Sequence, residues 1–137
     1  MKMKEMVKNQ QGFTLIEIIA VLVLLGILAA VAVPKYMSLA EDARIKAAQG
    51  QIAEVKGRLN AGMGGYMLKH DGAQPPDGAT LLDYVKSLDT EACPTTSITQ
   101  GDFDFVCSSL NKYVIITVSK VQNVLIATPP SGTYTIP

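Results

Sequence analysis

FTLIEIIAVLVLLGILAAVAV, residues Phe13 to Val33, is the stretch that decides the reading of this chain. Thr14 and Glu17 are its only polar residues. As a helix, a run of 21 residues reaches about 30 Å, the thickness of a bilayer's hydrocarbon core. Residues 1–12 carry Lys2, Lys4 and Lys8 against Glu5, a side-chain balance of +2, which predicts a cytoplasmic leader and an outward-crossing remainder. A secretory signal peptide is the competing reading, because Ala29-Ala30-Val31-Ala32-Val33 resembles a small-residue cleavage site. Two features oppose it. The apolar run is long for a signal core, and it contains Glu17, whose ionised carboxylate would cost about 2.5–3.5 kcal/mol at mid-bilayer.

The same residues identify a family resemblance. Gly12-Phe13-Thr14-Leu15-Ile16-Glu17, followed by the apolar run and Pro34, is similar to the N-terminus of type IV prepilins and of the related type II secretion pseudopilins. The likeness extends over about residues 8–60. It implies cleavage between Gly12 and Phe13 by a membrane peptidase that also N-methylates Phe13. It further implies that Glu17 recruits the amine of an incoming subunit, and that the stretch from Gly26 to Pro34 melts in the assembled filament. One departure is Gln10-Gln11 before Gly12, where a basic residue often stands; Lys8 is the nearest substitute.

Physical chemistry supports that arrangement independently. Cleavage would leave an ammonium on Phe13, one helical turn from Glu17. A carboxylate in lipid is tolerable when paired and costly when alone. Packing such helices together satisfies both charges, and Gly26, Ala29, Ala30 and Ala32 permit close approach. Pro34 removes a helical hydrogen bond where the segment should leave the membrane.

Beyond Pro34, residues 35–63 are expected to continue as an amphipathic helix. Ser38-Leu39-Ala40-Glu41 has the form of a capping box, so a restart near Ser38 is predicted. Ala48, Ile52, Val55 and Leu59 form an apolar stripe, while Glu41–Arg44, Asp42–Lys46 and Glu54–Arg58 are spaced to pair on the wet side. Gly62, Gly64 and Gly65 are expected to end the helix. Residues 66–80 read as a loop, followed by a short helix from Thr80 to Leu88 capped by Thr80. Strands are predicted over Phe103–Cys107, Tyr113–Ser119 and Val124–Thr128, with an edge strand over Thr133–Ile136.

The expected fold is therefore α+β: a long N-terminal helix, half transmembrane and half amphipathic, packed on a small antiparallel β-sheet head. Its parts are a leader (1–12), a membrane and filament-core helix (13–34), an amphipathic helix (35–63) and the head (64–137). Cys93 and Cys107 enclose 13 residues, and in an exported head they read as a disulfide. Metal binding would need more ligands, and His70 is the sole histidine; no metal or cofactor is expected.

Composition excludes some classes. Net charge is zero and no basic stripe suggests nucleic-acid binding, so neither DNA nor a host surface is indicated as a partner. No nucleophile–base pair or phosphate-binding loop suggests an enzyme. The expected partners are further copies in a helical filament, the prepilin peptidase and methyltransferase, the inner-membrane assembly machinery, and the bilayer before assembly. The expected location is the bacterial inner membrane, single-pass with the head outward, and then an extracellular pilus. A cysteine pair, and the lack of any Asp or Glu after Asp104 that could hold calcium, favour a pilus subunit over a pseudopilin. A monomeric membrane-anchored binding protein is the remaining alternative.

Overall fold

The computed structural model describes residues 12–137. The architecture is α+β, a long helix with an antiparallel sheet, as the sequence predicts. Helix α1 (Leu15–Lys69) belongs to two compact units, one ending at Leu39 and the other spanning Ala40–Pro137. In the first unit α1 is helical through Gly26 and Pro34 without interruption. Its apolar side chains from Leu15 to Val33 are exposed, and this part is long and apolar enough to cross a membrane. No restart occurs at Ser38. Its hydroxyl instead donates to the Lys35 carbonyl at 2.9 Å, a bond a serine makes inside a helix without capping it.

The second unit is built on the predicted apolar stripe: Ala48, Ile52, Val55 and Leu59 are buried. On the wet side Glu41–Arg44 (3.5 Å) and Glu54–Arg58 (2.6 Å) pair. Lys46 does not pair with Asp42; its ammonium reaches Gln49 at 3.4 Å.

The predicted helix end near Met63 is wrong by about two turns, because α1 runs on to Lys69. The reason is packing. A Cβ on Gly62 would lie 2.3 Å from the Val85 side chain, so this glycine admits the next helix rather than stopping its own. The actual stop is a left-handed cap in which Asp71 and Gly72 take φ of 52° and 87°. There the Gly72 N–H donates back to the Met67 carbonyl at 2.8 Å.

Helix α2 (Gly78–Leu88) starts two residues before the predicted Thr80. Its cap is Asp77, whose carboxylate accepts from the Thr80 N–H (2.8 Å) and hydroxyl (2.7 Å). Leu81, Leu82 and Val85 form its buried face.

The sheet contains β1 (Ile98–Gln100), β2 (Phe103–Leu110), β3 (Tyr113–Val121), β4 (Val124–Leu125) and β5 (Ser131–Thr135), all pairs antiparallel. β1–β2–β3 form a meander, and β4 and β5 both pair with β3. β1 was not anticipated, being short and polar. β2 and β3 are longer than predicted. β4 is shorter than Val124–Thr128: the Ile126 N–H still donates to the Ser119 carbonyl opposite it at 3.0 Å, but Pro129-Pro130 cannot extend the ladder further. Gln122 and Asn123, with φ of 51° and 62°, make the tight turn between β3 and β4. Phe105 and Cys107 on β2 face Val118 and Ile116 on β3 in register, and all four are buried. Gly132 brings β5 against α1, where a Cβ would lie 2.3 Å from Ile52.

Cys93 and Cys107 are bonded and buried, tying the segment after α2 to β2. The neighbouring Cys107 N–H donates to the Pro94 carbonyl at 2.6 Å.

Candidate functional site: the N-terminal tip of the long helix

Gly12, Phe13 and Thr14 precede the first turn of α1 in non-helical backbone. Phe13 is 84% exposed, and among the described residues nothing lies within 4 Å of where a Gly12 Cβ would stand. Among the described residues, none covers the Gly12–Phe13 peptide bond. The leader residues before Gly12, Lys8 among them, lie outside the described residues.

Glu17 sits in the first turn of α1. Its carboxylate accepts hydrogen bonds from the Thr14 N–H and the Thr14 hydroxyl, both at 2.9 Å. The Glu17 N–H in turn donates to the Thr14 hydroxyl oxygen at 3.3 Å. This is a reciprocal capping box. It satisfies donors that every helix start leaves unpaired and places an anion at the positive end of the helix dipole. The sequence reading assigned the box to Ser38–Glu41, where it does not form, and missed Thr14–Glu17. The signal was present, since a threonine followed three residues later by glutamate, just before an apolar run, is the N-terminal signature.

Chemically, the tip offers one ionised carboxylate held by an uncharged threonine. That partnership keeps Glu17 oriented and hydrogen-bonded, and among the described residues no cation pairs with it. A cation brought to this tip would meet a preoriented acceptor.

Residues 7–33 match the family described as the prokaryotic N-terminal methylation motif. The match covers Gly12, Phe13, Glu17 and the apolar run together. The chain carries a prepilin-type N-terminus. A curated relative, the type II secretion system core protein G of Pseudomonas aeruginosa, is 47% identical over 53 residues. That alignment covers 39% of this chain and 37% of the relative, so well under two thirds of the relative's length is spanned. No solved structure matches. The matched segment and the α+β head with its antiparallel sheet agree with a pilin-like fold, and the apolar helix is long enough to cross a membrane.

Gly26 and Pro34 are within α1, with open space beside Gly26. Cys93 and Cys107 belong to the core of the other unit. His70, just past α1, stacks on Tyr66 with ring centroids 4.1 Å apart. Among the described residues no three His, Cys, Asp or Glu side chains are grouped to hold a metal.

Asp104 is a polar centre that sequence reasoning did not find. It accepts from the Thr99 hydroxyl on β1 and pairs with Lys120 on β3 at 3.0 Å. The Thr99 hydrogen bond, then the Lys120 one, holds its carboxyl below the usual aspartate range. No local pattern joins these three residues, which meet only through strand pairing.

Proposed function

We propose that this chain is the structural subunit of a type IV pilus. A membrane peptidase cuts between Gly12 and Phe13 and methylates Phe13. The mature subunit waits in the inner membrane, anchored through residues 13–34 with its disulfide-bonded head outward. It then polymerises through this helix into a surface filament serving adhesion, motility or DNA uptake. Glu17 takes the amine of an incoming subunit as its counter-charge, exchanging a neutral threonine partnership for an ionic one. The stretch from Gly26 to Pro34 loosens in the filament, since Pro34 lacks one helical hydrogen bond and Gly26 weakens the helix. No enzymatic activity is assigned.

The observation that carries this reading is the methylation-motif match falling on Gly12, Phe13 and Glu17. Mass spectrometry of the mature protein tests it. The expected terminus is N-methylated Phe13; an intact leader, or cleavage after Ala32, overturns the proposal. Replacing Glu17 with Val should abolish surface filaments while the subunit still accumulates in the membrane.

The relative from the type II secretion system favours a second reading, a pseudopilus subunit. The cysteine pair and the lack of Asp or Glu after Asp104 weigh against it. Electron microscopy of cells with and without the gene separates the two. Loss of long surface filaments supports the pilus. Loss of protein secretion with surface filaments unchanged supports the pseudopilus.

A further inference from the structure

Residues 121–137 contain no Asp, Glu, Lys or Arg, although such residues make up 18% of the chain. Much of this uncharged stretch is at the surface of the second unit. From Gln122 to Pro129 every residue except Ile126 is exposed. Leu125 is 69% exposed and Val124 39%. Exposed positions of a protein in water are mostly charged or strongly polar. Here a run of them carries no charge and presents two large apolar side chains.

This stretch begins beside the start of the second unit. Val121 and Gln122, at the β3–β4 turn, line a cleft with Ala40, Ala43, Arg44 and Ala47 of α1. Val124 pairs with Val121 and Leu125 with Lys120, so the exposed apolar pair adjoins that cleft. Ala40 is also where the chain enters the unit from its apolar segment. It follows Val33 by seven positions, a reach of about 10 Å in a helix and at most about 25 Å at full stretch. Tyr36, Met37 and Leu39 in that tether are themselves exposed, and tyrosine beside a spanning segment favours the headgroup layer. The far end of α1 is different. Leu68, 88% exposed, follows Ala40 by 28 positions, about 42 Å along a helix.

We propose that the β3–β4 turn, with Val124 and Leu125, rests on the phospholipid headgroup layer of the membrane in which the subunit waits. The occupant is lipid because the short tether holds the Ala40 side of the unit within reach of the bilayer, and because residues 121–137 bring no charge to desolvate there. The contact is apolar. Arg44 in the cleft and Lys120 opposite Leu125 are already paired with Glu41 and Asp104, so neutral phospholipid suffices. Side chains of this kind enter the boundary between headgroups and acyl chains. Two of them bind weakly alone, and the tether supplies the high effective concentration that keeps them in place. This inference rests on the anchored subunit of the proposed function and gives it a second membrane contact.

The test places a polarity-sensitive fluorophore on the full chain reconstituted in phosphatidylcholine vesicles. Leu125→Cys reports on the turn, Leu68→Cys on the far end of α1 and Leu24→Cys on the apolar segment. The native cysteines are bonded to each other and buried, so the new thiol alone takes the label. Retention of that bond is the control for folding, and Ala127→Cys replaces Leu125→Cys where the control fails. At Leu125 the emission should shift to the blue and be quenched by nitroxide-bearing lipid, with loss of quenching by iodide. At Leu68 iodide should quench and the lipid nitroxide should not. Iodide quenching at Leu125 equal to that at Leu68, or equal lipid quenching at both, overturns the proposal. A Leu125 label shielded from iodide only in sheared filaments assigns the turn to a second copy and overturns it too. Lipid quenching at Leu24 in the same vesicles leaves the anchored reading intact in each of these cases, and its absence overturns both.

Discussion

At the scale of single residues, Glu17 and Asp104 show two different uses of a carboxylate. Among the described residues Glu17 is bound by Thr14 alone, three positions away, so its geometry belongs to the helix start itself. Asp104 is bound by residues of two neighbouring strands. Asp77 is similarly held low by the Thr80 N–H and then by its hydroxyl. The sign of the pH effect follows. Asp77 and Asp104 are depressed in the folded chain, so they stabilise it above the unfolded carboxylate pKa and lose that contribution as pH falls through the folded value. The detergent-solubilised chain should therefore melt at progressively lower temperature below about pH 4, by circular dichroism. Asp104→Asn should lower the melting temperature at pH 7 and flatten its dependence on pH.

At the scale of elements, the two helices are specified differently. The start of α1 is signalled by Thr14–Glu17 and its buried stripe by spacing, but its end was misplaced because Gly62 and Gly65 read as breakers. A Cβ on Gly65 would stand 3.2 Å from the Tyr84 hydroxyl, and one on Gly62 would meet Val85, so both positions serve the α1–α2 contact. Packing of α2 overrides the local preference of glycine, and only the folded unit contains that packing. Gly50 has no such neighbour. Gly50→Ala should stabilise the head by about 0.5–1 kcal/mol, seen as a raised thermal midpoint, whatever it does to assembly. The opposite result is expected at the α2 cap. Asp77→Ala removes the acceptor of both Thr80 donors and should lower the midpoint by about 4–8 °C.

At the scale of the whole molecule, α1 and α2 lay apolar faces on one side of the sheet, and Cys93–Cys107 closes the segment between α2 and β2. Phe105 is fully buried, so Phe105→Ala should cost about 3–5 kcal/mol. That is a large part of a small domain's stability, and the subunit should be degraded rather than accumulate in the membrane. Reduction of the disulfide should cost about 3 kcal/mol on the loop-entropy account. Since both sulfurs are buried, the bond should resist dithiothreitol until denaturant is added, which thiol labelling would follow.

The amino-acid sequence by itself determined the apolar segment, the Gly12-Phe13…Glu17 constellation, the buried stripe Ala48–Leu59 and the two long strands. Each is a pattern written within one turn or one pleat, where neighbours in sequence are neighbours in space. The tertiary structure alone decided where α1 ends, that β4 and β5 share an edge of β3, and that Asp104 meets Thr99 and Lys120. It alone revealed that Gly50 and Gly57 are unused by the fold while Gly62 and Gly132 are required by it. Those are questions of what stands opposite a residue across the packed interior. Strand pairing and helix contact answer them by joining positions that no local spacing relates.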